Sequence, residues 1–242
     1  CTAGIIDCLY DEVPAHTVTL TNDFYIGETE ITRGQYESLI GSLPSFVDEC
    51  ASDCPVEGVN WHRSAEFANA VSDAEGLEQC YSCTGFGTDH RCIISVDPYE
   101  CEGYRLPTEA EWEAAARCGE DTSYAGSAMI DDVAWYEDNS GDIPEPVGTK
   151  AANACGLYDM SGSMFEWTQD WWVSTYYGWD VAALDPVGPD APGPVDHPFT
   201  FRAARGGCWT CDSVWNRVTF RGHFSQLHRS GYNGMRLART SP

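Results

Sequence analysis

Twelve cysteines in 242 residues constrain this chain more than any other feature. Most fall in close pairs: Cys1 and Cys8, Cys50 and Cys54, Cys80 and Cys83, Cys92 and Cys101, Cys208 and Cys211, with Cys118 and Cys155 more isolated. An even count at short spacings in acidic loops points to disulfides in an oxidising compartment, and to a fold that cross-links hold where regular structure is sparse. Zinc is the rival, because Cys80-x-x-Cys83 and Cys208-x-x-Cys211 have ligand spacing. The lysines that usually accompany cytosolic zinc modules are scarce here (Lys150 alone), and disulfides are the preferred reading. Connectivity does not follow from spacing. Cys1 is also a candidate for lipidation.

Charge narrows the partners. With 38 acidic and 13 basic residues the formal net charge is −25. Such a surface repels phosphate backbones and anionic lipid, which argues against nucleic acid and anionic membrane surfaces, whereas divalent cations and cationic or neutral ligands suit it. No stretch approaches the roughly 20 apolar residues of a transmembrane helix. No signal peptide is present, and a chain that starts at Cys1 leaves room for an export signal upstream. The expected location is secreted, periplasmic or cell-surface. The expected organisation is one domain over residues 1–242, burying roughly 70–75% of its unfolded surface.

Local patterns place a few elements. His16–Leu20 alternates and predicts a strand, and Phe24–Gly27 a second. Thr32 and Gln35 form a capping box for a helix over about 33–40, stopped by Gly41. Trp61, Ala65, Ala68 and Val71 make a helical stripe ended by Gly76. Cys80–Gly103 has little periodicity and predicts a cross-linked surface excursion. Thr108 and Glu111 form a second capping box, and capping accounts for Glu109 and Glu111 without a catalytic role. Residues 174–200 predict a long loop. Arg202–Trp209, Arg217–Arg221 and Gly234–Ala238 read as strands.

Gly156–Trp172 fits neither a plain helix nor a plain strand. Its glycines let the backbone turn and expose carbonyls, while Asp159 and Glu166 supply anionic oxygens, the donor combination that Ca²⁺ prefers.

Four segments together resemble the formylglycine-generating-enzyme (sulfatase-modifying-factor) family: F-Y-I-G-E-T-E-I-T-R-G-Q from Phe24, G-Y-R-L-P-T-E-A-E-W-E-A-A-A-R from Gly103, Gly156–Trp172, and Arg205-Gly206-Gly207 leading to Gly234-Met235-Arg236-Leu237. The resemblance implies a compact, irregular α+β domain related to C-type lectin-like folds, with a first family strand missing before Cys1. It implies a calcium site on the side chains of Asp159 and Glu166 and the carbonyls of Gly162 and Met164. A second family calcium site would use Asn139, but the segment with its other ligands looks shortened. Active members use two cysteines five positions apart to bind Cu(I), which favours soft sulfur donors. Aligned from Arg205-Gly206-Gly207 these positions are Cys211 and Asn216; aligned from the C-terminal motif they are Cys208 and Ser213. Either register leaves one cysteine without its partner, so the parent catalysis looks lost. Related sulfoxide synthases need a clustered histidine motif that this chain lacks.

Two functions follow. The first is a non-catalytic, calcium-braced extracellular module that presents its C-terminal loops to a protein or carbohydrate ligand through Trp209, Trp215, His223, Phe224, Gln226, His228 and Tyr232. About half of these aromatics are expected to be buried. The resemblance adds that this region is the one diversified in hypervariable receptors of the fold. The second is a divergent copper-dependent oxidase acting on a peptide cysteine, with Cys211 as the surviving ligand. A structural subunit of a cell-surface assembly is a third reading.

Overall fold

The computed structural model describes residue 9 and residues 12–176, 184–190 and 200–241. Cys1 and Cys8, and much of the 174–200 segment, lie outside the described residues. In chain order, strand β1 (Phe24–Ile26) leads to helices α1 (Arg33–Ile40) and α2 (Trp61–Glu75). Strands β2 (Tyr81–Thr84) and β3 (Arg91–Ile94) precede helix α3 (Glu109–Arg117) and the single turn α4 (Ile130–Val133). The remaining strands are β4 (Phe165–Trp171), β5 (Phe201–Arg205), β6 (Gly222–Ser225), β7 (Asn233–Gly234) and β8 (Ala238–Thr240). The order of the main sheet is β6-β5-β4-β7, with β4 and β7 parallel, while β1–β8 and β2–β3 are separate antiparallel pairs. The fold is α+β.

The helix signals act as their chemistry requires. Thr32 Oγ1 accepts from Gln35 N at 3.2 Å and Gln35 Oε1 accepts from Thr32 N at 2.8 Å, so α1 starts with two of its free N–H groups satisfied. Gly41 and Gly76 close α1 and α2 in the left-handed conformation. Thr108 and Glu111 cap α3 in the same reciprocal way.

Behind these elements lies a core whose apolar rings are pinned by polar atoms. Trp61 donates to Thr168 O at 2.9 Å and Trp167 to Val59 O at 3.1 Å, which ties α2 to β4 through two indoles. The Arg202 guanidinium lies 3.8 Å from the Trp61 ring centroid and 3.4 Å from that of Trp171. Buried ion pairs knit the rest together. Arg105 grips Glu111 at 2.7 and 2.8 Å, and Arg221 grips Glu109 at 2.7 and 2.9 Å. The two acids at the start of α3 are thus more than caps: Glu111 neutralises Arg105 just ahead of the helix, and Glu109 neutralises Arg221 from far along the chain. Removing one partner of such a pair strands a buried charge and costs about 3–5 kcal/mol.

The disulfides among the described residues are Cys50–Cys54, Cys80–Cys101, Cys83–Cys92, Cys118–Cys155 and Cys208–Cys211. Neither C-x-x-C motif is a zinc site here. Cys80 and Cys83 go to different partners, and Cys208 is bonded to Cys211.

Three sequence expectations are corrected. Among the described residues His16–Leu20 has one bridge, Thr19 to Leu184, and forms no strand because no described strand extends the pairing. Cys80–Gly103 is no mere surface excursion: β2 and β3 form a ladder, and Tyr81 is buried with its hydroxyl donating to Gln169 Oε1 and accepting from Leu106 N, both at 2.9 Å. Arg217–Arg221 is mostly turn. Its alternation arises because Val218 and Phe220 point inward while Arg217 and Thr219 bond to Glu12, and the strand begins at Gly222.

Asp170, on β4, accepts from Glu109 N at 2.8 Å through Oδ2, while its buried Oδ1 has no hydrogen-bond partner among the described residues. Burial first, and then the Glu109 charge, push its carboxyl up to about 8. In the unfolded chain the group titrates near 3.9. The fold therefore retains a proton that the unfolded chain releases, and stability present below about pH 4 is lost as pH rises through about 8. Asp170→Asn is expected to flatten the fall in melting temperature between about pH 5 and about pH 8.5. Parallel slopes for parent and variant would contradict this assignment.

Candidate functional site

The turn before β4 is shaped by backbone conformation. Asp159, Gly162 and Ser163 have φ of 59°, 81° and 59°. A Cβ at Gly162 would lie 2.3 Å from Trp135 O, so only glycine fits there. Gly162 N donates to Gly206 O at 2.7 Å, Ser163 N to Trp135 O at 2.9 Å, and Trp209 N to Ser163 O at 2.8 Å. The turn therefore sits between the loop after α4 and the segment after β5.

Beneath it is a charge imbalance. Arg236 reaches both oxygens of Glu166 at 2.8–3.1 Å, and Trp112 Nε1 donates to Glu166 Oε2 at 2.7 Å. Each Glu166 oxygen thus accepts two bonds, which fills its capacity. Asp159 Oδ2 accepts from Gly148 N at 2.7 Å, and Oδ1 has no donor among the described residues. Glu30 was not singled out from sequence. It is buried, its Oε1 accepts from Met164 N at 3.2 Å, and its Oε2 has no hydrogen-bond partner among the described residues. Burial, then the charges of Asp159 and Glu166, hold the Glu30 carboxyl well above the usual range, and burial raises that of Asp159 as well. The carbonyls of Gly162 and Met164 receive no hydrogen bond from the described residues. The donors are hard oxygens, the kind that Ca²⁺ takes. The three carboxylates do not converge on one point, since no trio of their oxygens lies within 4.8 Å of one another. The only sequence clue to Glu30 was its place in the family-like segment from Phe24.

Asn139 is spent on local structure. Its Oδ1 accepts from Tyr136 N at 2.9 Å and its Nδ2 donates to Ala134 O at 3.0 Å.

Beside the turn, a cavity of about 290 Å³ is lined by Glu137, Phe165, Cys208, Thr210, Cys211, Asp212, Trp215, Phe224 and Tyr232. The Cys208–Cys211 disulfide forms part of its wall, with the Thr210 hydroxyl 3.3 Å from Cys208 Sγ. Asn216 holds the disulfide loop. It is fully buried, its Oδ1 accepts from Cys208 N at 2.9 Å, and its Nδ2 donates to the carbonyls of Cys211 and Asp212 at 3.2 and 2.6 Å.

Of the aromatic positions expected to meet a ligand, the fold brings Trp215, Phe224 and Tyr232 to this cavity. His228 stacks on Phe224 at 5.2 Å. Trp209 instead anchors a loop by donating to Gly231 O at 2.8 Å. His223 stacks on Trp172 at 3.8 Å, away from the cavity, because alternate residues of β6 face opposite sides. Gln226 is half-buried and does not line the cavity. Burial lowers the titration of both histidines, which leaves them neutral near pH 7.

A model of the sulfatase-modifying factor enzyme 1-like domain matches residues 2–241. The chaperone protein LppX of Paenibacillus barcinonensis is 32% identical over 253 residues, covering 92% of this chain and 82% of that protein. The formylglycine-generating enzyme of Streptomyces coelicolor is 27% identical over 277 residues, covering 94% of this chain and 81% of the enzyme. Among solved structures, Treponema denticola variable protein 1 superposes with a TM-score of 0.80 at 31% identity, covering 93% of this chain and 87% of that one.

Asn216→Ala would leave the buried Cys208 N–H without its acceptor and take one of two hydrogen bonds from each of the Cys211 and Asp212 carbonyls, which keep Glu137 N and Trp215 N. It is expected to lower stability by about 1–3 kcal/mol in denaturant unfolding. An unchanged midpoint and slope would show that Asn216 does not hold the disulfide loop.

Proposed function

The chain is a member of the sulfatase-modifying factor enzyme 1-like family, and we propose that it serves there as a non-catalytic module that presents an aromatic face to a protein or carbohydrate ligand. The observation that carries this reading is the disulfide in the cavity wall. Copper oxidases of this kind need thiolates, and the sulfurs of Cys208 and Cys211 are bonded to each other. Asn216, five positions after Cys211, is an amide fully engaged in holding the backbone. The copper-oxidase alternative, with Cys211 as ligand, draws on the kinship with formylglycine-generating enzymes and requires this bond to be reduced.

Calcium is the second part of the proposal. The ion would be held by the carboxylates of Asp159 and Glu166 and the carbonyls of Gly162 and Met164, with Glu30 as a further ligand. Binding would require Glu166 to give up one of its bonds to Arg236 or Trp112, and the three carboxylates to draw together around the ion. When bound, the ion supplies positive charge to a cluster of three buried acids that a single guanidinium does not balance. That role is structural: it fixes the turn on which Gly206 and Trp209 rest. The disulfides support an oxidising compartment, and placement as a secreted, periplasmic or cell-surface protein belongs to the proposal.

Two measurements test this. Saturating calcium is expected to raise the melting temperature of the parent over its value in chelator, by the equivalent of about 2.7 kcal/mol at a hundredfold excess over Kd. The gap should shrink in Glu30→Gln and in Glu166→Ala, and equal gaps in parent and variants would remove the site. For the face, immobilised parent and a Trp215→Ala/Tyr232→Ala variant are compared on glycan and extracellular-protein panels, and the parent alone should capture ligand. Aldehyde formation on a cysteine peptide in the presence of copper would overturn the non-catalytic reading.

A further inference from the structure

The chemistry of the cavity points to more than an aromatic surface. Trp215, Phe224 and Tyr232 line it, with Phe165 behind Phe224 at 5.1 Å. Trp215 is stacked on Phe220 at 5.4 Å yet remains 46% exposed. Two carboxylates complete the lining, Glu137 and Asp212, both exposed. No lysine, arginine or histidine is in the lining, and neither acid has an ion-pair partner among the described residues. Asp212 Oδ1 accepts from Val214 N at 2.9 Å, and the Glu137 side chain has no hydrogen-bond partner among the described residues.

From this we infer that the cavity accepts a methylated ammonium head, of the choline type, as the docking group of the ligand. This rests on the binding-module reading and names the chemistry its face would recognise. Ring faces carry negative potential and attract cations, most strongly when the cation sheds little hydration. A trimethylammonium group meets that condition, because it has no N–H donors to leave unsatisfied against phenyl and indole walls. A primary ammonium is more strongly hydrated and would lose that water against the same rings and the disulfide, a cost that the exposed carboxylates of Glu137 and Asp212 offset only in part. The volume of about 290 Å³ suits such a head with a short tail. The overall charge of −25 adds long-range attraction for a cation and repulsion for an anion.

The test uses the oxidised chain and calorimetric titration with choline, the neutral tert-butyl analogue of choline, and a lysine amide. Saturable choline binding is expected, weakened about tenfold in Trp215→Leu and at least that much with the neutral analogue. Glu137→Gln, at an exposed side chain, should weaken it about threefold, an effect that shrinks as salt is added. Soluble phosphocholine against phosphocholine-headed vesicles then separates a free source of the head from a lipid one. Equal affinity for the neutral analogue, preference for lysine amide, indifference to both variants, or no saturable binding of choline each overturns the inference. A macromolecular ligand captured by the parent, lost in the Trp215→Ala/Tyr232→Ala variant and not displaced by choline overturns it while the binding-module reading stands.

Discussion

One guanidinium faces three buried carboxylates at the centre of this fold. Arg236 lies against Glu166, and the charges of Asp159 and Glu30 act on the same small volume. Burying one ion pair with full hydrogen bonding is tolerable, but two further acids without a counter-charge must either hold protons or meet a cation. The elements that carry these groups are far apart in sequence: the segment after β1, the turn before β4, β4 itself and the segment after β7. Their meeting point joins nearly the whole length of the chain, so how its charge is settled decides how firmly the surrounding loops are held.

Elsewhere the same device recurs with the charges balanced. Arg105 with Glu111 and Arg221 with Glu109 are paired through two hydrogen bonds each, and Arg202 lies between two indoles. Short strands and three helices of ordinary length leave much of the backbone irregular. Directional polar contacts and disulfides therefore take over part of the work that long ladders do in other folds. The wall of the aromatic cavity inherits its rigidity from this arrangement. The Cys208–Cys211 loop is fixed by Asn216 from one side, and Trp209 N donates to Ser163 O in the acid-lined turn from the other.

Much of this was legible in the residues. The capping boxes at Thr32 and Thr108 and the glycine stops at Gly41 and Gly76 are local rules, and local rules give local structure. What failed was pairing. The alternation of His16–Leu20 and Arg217–Arg221 is real, but a strand exists only with a neighbour, and the neighbour is a tertiary fact. The hairpin at β2–β3 was hidden for the converse reason: its ladder is four pairs long, and its sequence of cysteines and polar residues carries no periodic signal. At the candidate site, the family resemblance pointed to Asp159, Gly162, Met164 and Glu166 as ligands but gave no such role to Glu30, which lies 129 positions before Asp159 and comes near it only through folding. Among the aromatics, the division between Phe224, which lines the cavity, and His223, which does not, follows from the pleat of β6.

The account stands or falls on whether the unbalanced acids around Arg236 meet a hard cation. Elemental analysis of the chain purified at neutral pH without chelator, then dialysed against calcium with Glu30→Gln alongside, measures this directly. About one tightly held calcium per parent chain, and markedly less in the variant, is the predicted result. A parent that carries no calcium and gains none would mean that the acids are settled by protons alone, and the metal-braced account would be wrong.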